Sequence, residues 1–217
     1  MKALFLDLDG TLINSEREFS RCFVDILNND YHANVTLDDY RKYELEMDGK
    51  LISYVKKARM IDDGIDDNEI ITRVRDSYEP YFRNVIKEEE AVDNFRLLRE
   101  IKKLYALGLI TTCKRKFLDI LDTQEDIYRL FDIVVAREDV DALKPNPEAY
   151  LKALDKLGLD PIDVVAIEDS KRGVESSIAA GIKTIKVDNF TDKKFDDQRT
   201  IQEESANKVL RKIIEYK

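Results

Sequence analysis

The chain has 217 residues, 43% of them hydrophobic and 37% charged, with a formal net charge of -9. A chain of this length buries a full core, as one large domain or as a core with a small insert. The acidic balance argues against a general nucleic-acid surface, which needs a basic face, and no run approaches the roughly 18 consecutive apolar residues of a membrane span. Cys22 and Cys113 are far apart and offer neither a disulfide framework nor a zinc spacing, so a reducing, cytoplasmic setting is the default. The single histidine, His32, lies in a polar segment and reads as a surface residue. Histidine-based chemistry is hard to build from it.

The chain opens on Ala3-Leu4-Phe5-Leu6, a short apolar strand that stops on Asp7 and is followed by Asp9 and Gly10. A strand that ends in an acid is not a signal peptide. Two carboxylates at the end of a buried strand are costly unless a cation or strong donors meet them. By itself the stretch reads equally as part of a metal-assisted site or as an Asx-rich surface turn.

Asn14-Ser15 caps a helix that starts at Glu16, carries Phe19, Cys22, Phe23, Ile26 and Leu27 on one face, and ends at Asn28-Asn29-Asp30. From Thr36 to Glu90 the pattern stays helical. One segment runs from Thr36 through Met47 and breaks at Asp48-Gly49, and a second covers 50–60. A third is capped by Asp66-Asp67-Asn68-Glu69 and runs through Tyr81-Phe82.

The character changes near Ala91. A helix through Phe95, Leu97, Leu98 and Ile101 leads into a second apolar run, 104–110, that ends on Thr111-Thr112. A helix around 117–121 precedes a third strand, 131–136, and a helix over 147–157 stops at Gly158. The fourth strand, 164–167, ends on Glu168-Asp169; a helix over 174–180 closes at Gly181, and 184–187 is a fifth strand. The tail, 202–216, reads as an amphipathic helix, while 192–202 is polar and carries no clear pattern.

Continuous apolar strands alternating with helices predict a doubly wound, Rossmann-like parallel sheet covered on both faces. Ligands of such sheets sit beyond the carboxyl ends of the strands. Those ends carry Asp7 and Asp9, Thr111-Thr112, and Glu168-Asp169, with Lys144-Pro145 in the loop after the third strand. Four separate segments thus bring acids, hydroxyls and one lysine to the same edge. Clustered carboxylates repel one another unless a small divalent cation sits among them, and magnesium suits a few carboxylates plus an incoming phosphate. Lys144 and Thr111 suit phosphate oxygens. One carboxylate is placed to attack phosphorus and a neighbour to carry the leaving group's proton.

Asp7-Leu8-Asp9-Gly10-Thr11-Leu12, Thr111, Lys144-Pro145 and Glu168-Asp169-Ser170 resemble the four ordered motifs of the haloacid dehalogenase-like hydrolase superfamily. The likeness covers nearly the whole core. It implies Asp7 as nucleophile, Asp9 as general acid/base whose backbone carbonyl also binds magnesium, and Thr111 and Lys144 on phosphate. Asp169, with Glu168 beside it, would complete the metal site. An ungapped match puts Thr111 in the phosphate-binding place and uses the Thr112 backbone amide; Thr112 as the binding hydroxyl is the alternative. Cys113, just after, reads as a plain thiol.

The same likeness makes 15–90 an inserted all-helical cap on an α/β core of 1–14 and 91–217, and caps of this type close over the site and exclude water. Lys50, after the Met47-Asp48-Gly49 turn, is a candidate substrate contact. Relatives that cleave carbon–halogen bonds lack an acid at the place of Asp9, so Asp9 points to phosphoryl transfer to or from oxygen. The expected function is a magnesium-dependent phosphatase of a small phosphorylated metabolite, similar to phosphoglycolate phosphatases. A phosphomutase of the β-phosphoglucomutase type and a non-catalytic binding protein are the alternatives. No nucleic-acid, membrane or protein partner is expected.

Overall fold

The computed structural model describes residues 1–46, 50–58, 60–188 and 195–215. Its sheet is built from β1 (Ala3–Leu6), β2 (Ala106–Ile110), β3 (Ile133–Val135), β4 (Val164–Glu168), β5 (Lys183–Val187) and β6 (Ile201–Glu203). The order is β3-β2-β1-β4-β5-β6, and every neighbouring pair is parallel. β1 is buried along its whole length, and each of Leu4, Phe5 and Leu6 contributes about 1.5–3 kcal/mol by leaving water. That apolar strand fixes where its first polar successor, Asp7, must stand. The chain divides by contact into two compact units: Met1–Asn14 with Ile86–Lys217, and Ser15–Val85.

The helical unit holds α1 (Ser15–Tyr31), α2 (Leu37–Tyr40), a π-helical stretch (Arg41–Glu46), α3 (Leu51–Lys57), α4 (Asp67–Ser77) and α5 (Glu79–Val85). Its interior is aromatic: Phe19 meets Tyr78 edge-on at 5.2 Å and Phe23 meets Tyr40 at 5.6 Å. Thr36 and Asp39 form a reciprocal capping box at the start of α2. The sequence pattern differs from the structure in four places here. α1 runs past Asn28 to Tyr31, because the Asn28 side chain clasps both the amide and the carbonyl of Val35 instead of ending the helix. The segment that starts at Thr36 is a single α turn followed by the π-helical stretch, and Met47, Asp48 and Gly49 lie outside the described residues. α3 stops at Lys57, short of the predicted end at Met60. The long helix expected over 66–82 is two helices, because Pro80 has no amide to donate and its ring blocks the preceding turn, whereas the first turn of α5 tolerates it.

In the sheet unit, α6 (Glu89–Ile101), α7 (Arg115–Glu125), α8 (Ile127–Leu130), α9 (Glu148–Leu157), α10 (Lys171–Ala179) and α11 (Ala206–Glu215) accompany the strands. Buried Asn94 on α6 donates to the Leu12 carbonyl at 3.0 Å and so anchors the loop after β1. The tail corrects the sequence reading. Residues 201–203 are not helical but form edge strand β6, with Ile201 in register with Ile185. α11 begins only after Ser205, whose hydroxyl accepts the Lys208 amide at 3.2 Å. Among the described residues no helix is long and apolar enough to cross a membrane.

Candidate active site

The site grows from the end of β1. The Asp7 amide donates to the Ile167 carbonyl at 3.1 Å, so the ladder with β4 runs one residue past the strand and holds Asp7 in place. The chain then turns sharply, with the amides of Thr11, Leu12 and Ile13 all converging on the Leu8 carbonyl. Gly10 makes this turn possible with φ +83, and a Cβ there would run into the Asp169 carboxylate. The Thr11 hydroxyl donates to Asp169 Oδ1 at 3.2 Å.

From the loop after β3, Lys144 reaches back under the sheet edge. Its Nζ donates to Asp7 Oδ1 at 2.6 Å, to Glu168 Oε1 at 2.6 Å and to the Ile110 carbonyl at 2.7 Å. All three ammonium protons are used, and the side chain is only 4% exposed. The Lys144 loop is clamped from α10: Arg172 Nε donates to the Lys144 carbonyl at 2.9 Å and the Ser176 hydroxyl to the Asn146 carbonyl at 2.7 Å. Ser170 caps α10 by accepting the Gly173 amide at 3.1 Å, which leaves the preceding Glu168-Asp169 pair free to face the site.

Asp7, Glu168 and Asp169 are all buried and offer carboxylate oxygens that lie within 4.8 Å of one another. Burial would depress the Lys144 pKa, but the adjoining Asp7 and Glu168 carboxylates overcome it and hold the ammonium charged. Glu168 nevertheless shifts upward: burial dominates, Lys144 opposes it, and the charges of Asp7 and Asp169 add to it. The two shifts are compatible because one ammonium is shared between two carboxylates. Asp169 is pushed up as well, by burial and then by Asp7, with the Thr11 hydrogen bond working against them. Glu168 Oε2 is buried without a hydrogen-bond partner. Three acids with one orphaned oxygen and one shared cation are short of positive charge.

The Thr111 amide extends the ladder to the Val135 carbonyl at 2.9 Å, and its hydroxyl accepts the Cys113 amide at 3.0 Å, which leaves its own proton available to an incoming acceptor. Thr112 is exposed. Asp9 stands outside the three-carboxylate group, with the Cys113 thiol beside it. Burial, reinforced by Asp9 and Asp7, pushes that thiol up, so it stays protonated. Lys50 lies in the helical unit, exposed, at the N-terminal boundary of α3. His32 is exposed, in a left-handed turn after α1.

Tyr150, Arg172, Ser176, Gly173 and Asn94 are site-building residues that sequence reasoning passed over. Asn94 had a signal, a polar residue on the otherwise apolar stripe of Ala91, Phe95, Leu98 and Ile101. Tyr150 lay on the helix predicted over 147–157 without being assigned a part.

Carboxylates and a buried lysine at the carboxyl edge of a doubly wound parallel sheet define an α/β enzyme class that works on anionic ligands. A family model for haloacid dehalogenase-like hydrolases matches residues 4–187, and the chain belongs to that family. It is an enzyme of the hydrolase class. Pyrophosphatase PpaX from Bacillus cereus (strain G9842) is 27% identical over 188 residues, which cover 86% of this chain and 83% of that one. A phosphorylated carbohydrates phosphatase from Thermotoga maritima is 28% identical over 185 residues, covering 85% and 84%. The crystal structure of a candidate β-phosphoglucomutase from Thermotoga maritima matches the fold with a TM-score of 0.74 at 24% identity, covering 99% of both chains.

Proposed function

We propose that this protein is a magnesium-dependent phosphatase that hydrolyses a small phosphorylated metabolite through a phosphoryl group carried on Asp7. The observation that carries the reading is Lys144 Nζ bridging Asp7 Oδ1 and Glu168 Oε1 at 2.6 Å each in a buried setting. A buried ammonium steadies an ionised nucleophile and offers charge to a phosphate beside it. The two relatives named as phosphatases support the same class of chemistry.

With Oδ1 held by Lys144, Asp7 Oδ2 attacks phosphorus and the bond from phosphorus to the leaving oxygen breaks. Asp9 gives that oxygen its proton. In the second half Asp9 takes a proton from water, the water oxygen displaces Asp7 from phosphorus, and inorganic phosphate leaves. Thr111 donates its hydroxyl, and Thr112 its amide, to phosphate oxygens. The helical unit serves as the cap, with Lys50 as a substrate contact.

The donor set fits a hard divalent cation. Asp7, Glu168 and Asp169 supply oxygen ligands only, one of them orphaned, and the Asp9 carbonyl completes the protein's share. When bound, magnesium supplies the positive charge that three buried carboxylates and a phosphate require. The two free cysteines fit a cytoplasmic setting.

Purified protein is to be assayed for phosphate release on a panel of phosphate esters headed by sugar phosphates, and on the anhydride pyrophosphate, with magnesium and with EDTA. Turnover that EDTA removes reversibly, and that Asp7→Asn abolishes in a folded protein, is expected. No turnover across the panel, or an Asp7→Asn variant as active as the original, would overturn the reading. Interconversion of sugar phosphates without net phosphate release would favour a phosphomutase instead.

A further inference from the structure

Tyr150 on α9 is fully buried, yet its phenol oxygen is not idle. It donates to Glu168 Oε1 at 2.5 Å, the same oxygen that receives Lys144 Nζ at 2.6 Å. The Tyr150 ring lies 5.4 Å beneath that ammonium. The same ring stacks on Phe5, with centroids 6.4 Å apart and planes inclined by 28°. One side chain therefore touches β1 two residues before Asp7, the lysine that bridges the acids, and the acid at the end of β4.

Two donors on one oxygen fix how the Glu168 carboxylate is turned. With Oε1 occupied by Lys144 and Tyr150, Oε2 is left as the unpartnered oxygen. Behind it there is no slack, since a Cβ on Gly173 would overlap the Glu168 carboxylate. Without the phenol, Oε1 would keep Lys144 alone as its donor and would draw the ammonium more strongly, at the expense of Asp7. A buried hydrogen bond to a charged group is also among the stronger ones in a protein interior.

We infer that Tyr150 is a positioning residue of the active site: its phenol holds Glu168 Oε1, and through it keeps Lys144 on Asp7 and the carboxylate triad set for a divalent cation. Within haloacid dehalogenase-like chemistry this gives a task to a residue of α9 that meets neither substrate nor cation itself. The inference rests on the phosphatase reading for its kinetic arm but not for its binding arm.

Tyr150→Phe keeps the ring, its stacking on Phe5 and its place under Lys144, and removes only the hydroxyl. On the best ester of the panel, kcat is expected to fall about tenfold while KM stays within about twofold. Calorimetric binding of Mn2+ to the substrate-free protein is expected to weaken about tenfold, with the thermal midpoint unchanged. Unchanged kcat together with unchanged Mn2+ affinity would overturn the inference. So would losses that track a lowered thermal midpoint and a raised KM, since these mark a residue that only packs. If the wild-type protein releases no phosphate, the phosphatase reading falls, and the Mn2+ comparison alone still decides the part played by Tyr150.

Discussion

Lys144 Nζ meets Asp7 Oδ1 at 2.6 Å across 137 positions of sequence, with both residues less than a tenth exposed. Neither charge would be tolerable there alone. A buried ion whose partner is removed is left without compensation, and the penalty is about 3–5 kcal/mol. The pair is also not private, because the same ammonium serves Glu168. Removing it would leave two buried acids facing a third.

Lys144→Met therefore separates charge from volume, since methionine fills much of the same space. At about pH 8, with EDTA present, the unfolding free energy from urea titration is expected to drop by about 3–5 kcal/mol. Phosphate release should vanish as well. A methionine variant as stable as the original would show that the ammonium is not what makes the buried acids tolerable.

Two glycines test how closely α10 is fitted to the site. At Gly173, helix propensity alone favours alanine by about 1 kcal/mol. Packing opposes it, because the new Cβ would overlap the carboxylate of Glu168 at the end of β4. A buried carboxylate fixed by Lys144 and Tyr150 has little room to give, so packing wins. Gly173→Ala is expected to destabilise by about 1–3 kcal/mol and to displace Glu168. Gly158, at φ +62 after α9, has nothing within 4 Å of the same added atom. Its change to alanine meets only backbone strain, about 1–2 kcal/mol, and should leave catalysis untouched. Urea titration of both variants beside activity assays makes the comparison.

The parts of this site that the sequence shows are those where chemistry interrupts an apolar strand. Asp7, Thr111 and Glu168-Asp169 each follow a run that has no reason to end on a polar group unless something meets it. Lys144 is legible through its place beside Pro145 in a familiar motif. Tyr150 is not, because an aromatic residue on a helix face reads as core and only its hydroxyl, unseen in any pattern, makes it more. β6 is equally hidden: two exposed residues and a half-buried one carry no alternation, and their strand character comes from pairing with β5. The break at Pro80 was legible in principle, since proline cannot sit inside a continuous helix.

The two threonines after β2 differ in a way that kinetics can read. Thr111 is buried with its hydroxyl accepting the Cys113 amide, whereas Thr112 is exposed. If the Thr111 proton goes to phosphate, Thr111→Val loses a hydrogen bond to a charged group, about 1.5–3 kcal/mol, or roughly 10–150-fold in kcat/KM. Thr112→Val keeps its amide and is expected to stay within about threefold. The reverse ranking would move the phosphate-binding hydroxyl to Thr112.

Acidity gives the last test, and its sign follows from crowding. Asp169 is pushed up to about 7 and Glu168 to about 8, chiefly by burial. An acid whose pKa is higher in the folded protein holds its proton more tightly there. The stability it lends is complete below the unfolded value of about 4 and is lost as pH climbs through the folded one. Without a cation the protein should thus lose stability between about pH 4 and pH 8, at up to about 1.4 kcal/mol per pH unit for each group. Asp93, Asp132, Glu148 and Asp197 are shifted downward and act with the opposite sign, but only as pH falls below about 4. Magnesium favours the ionised carboxylates, so its stabilising effect should be largest at the top of the window. In EDTA the thermal midpoint is expected to be lower at about pH 8 than at about pH 5.5, and saturating magnesium should narrow that gap. A midpoint in EDTA that stays level or rises across the window would mean that the three carboxylates are not starved of positive charge.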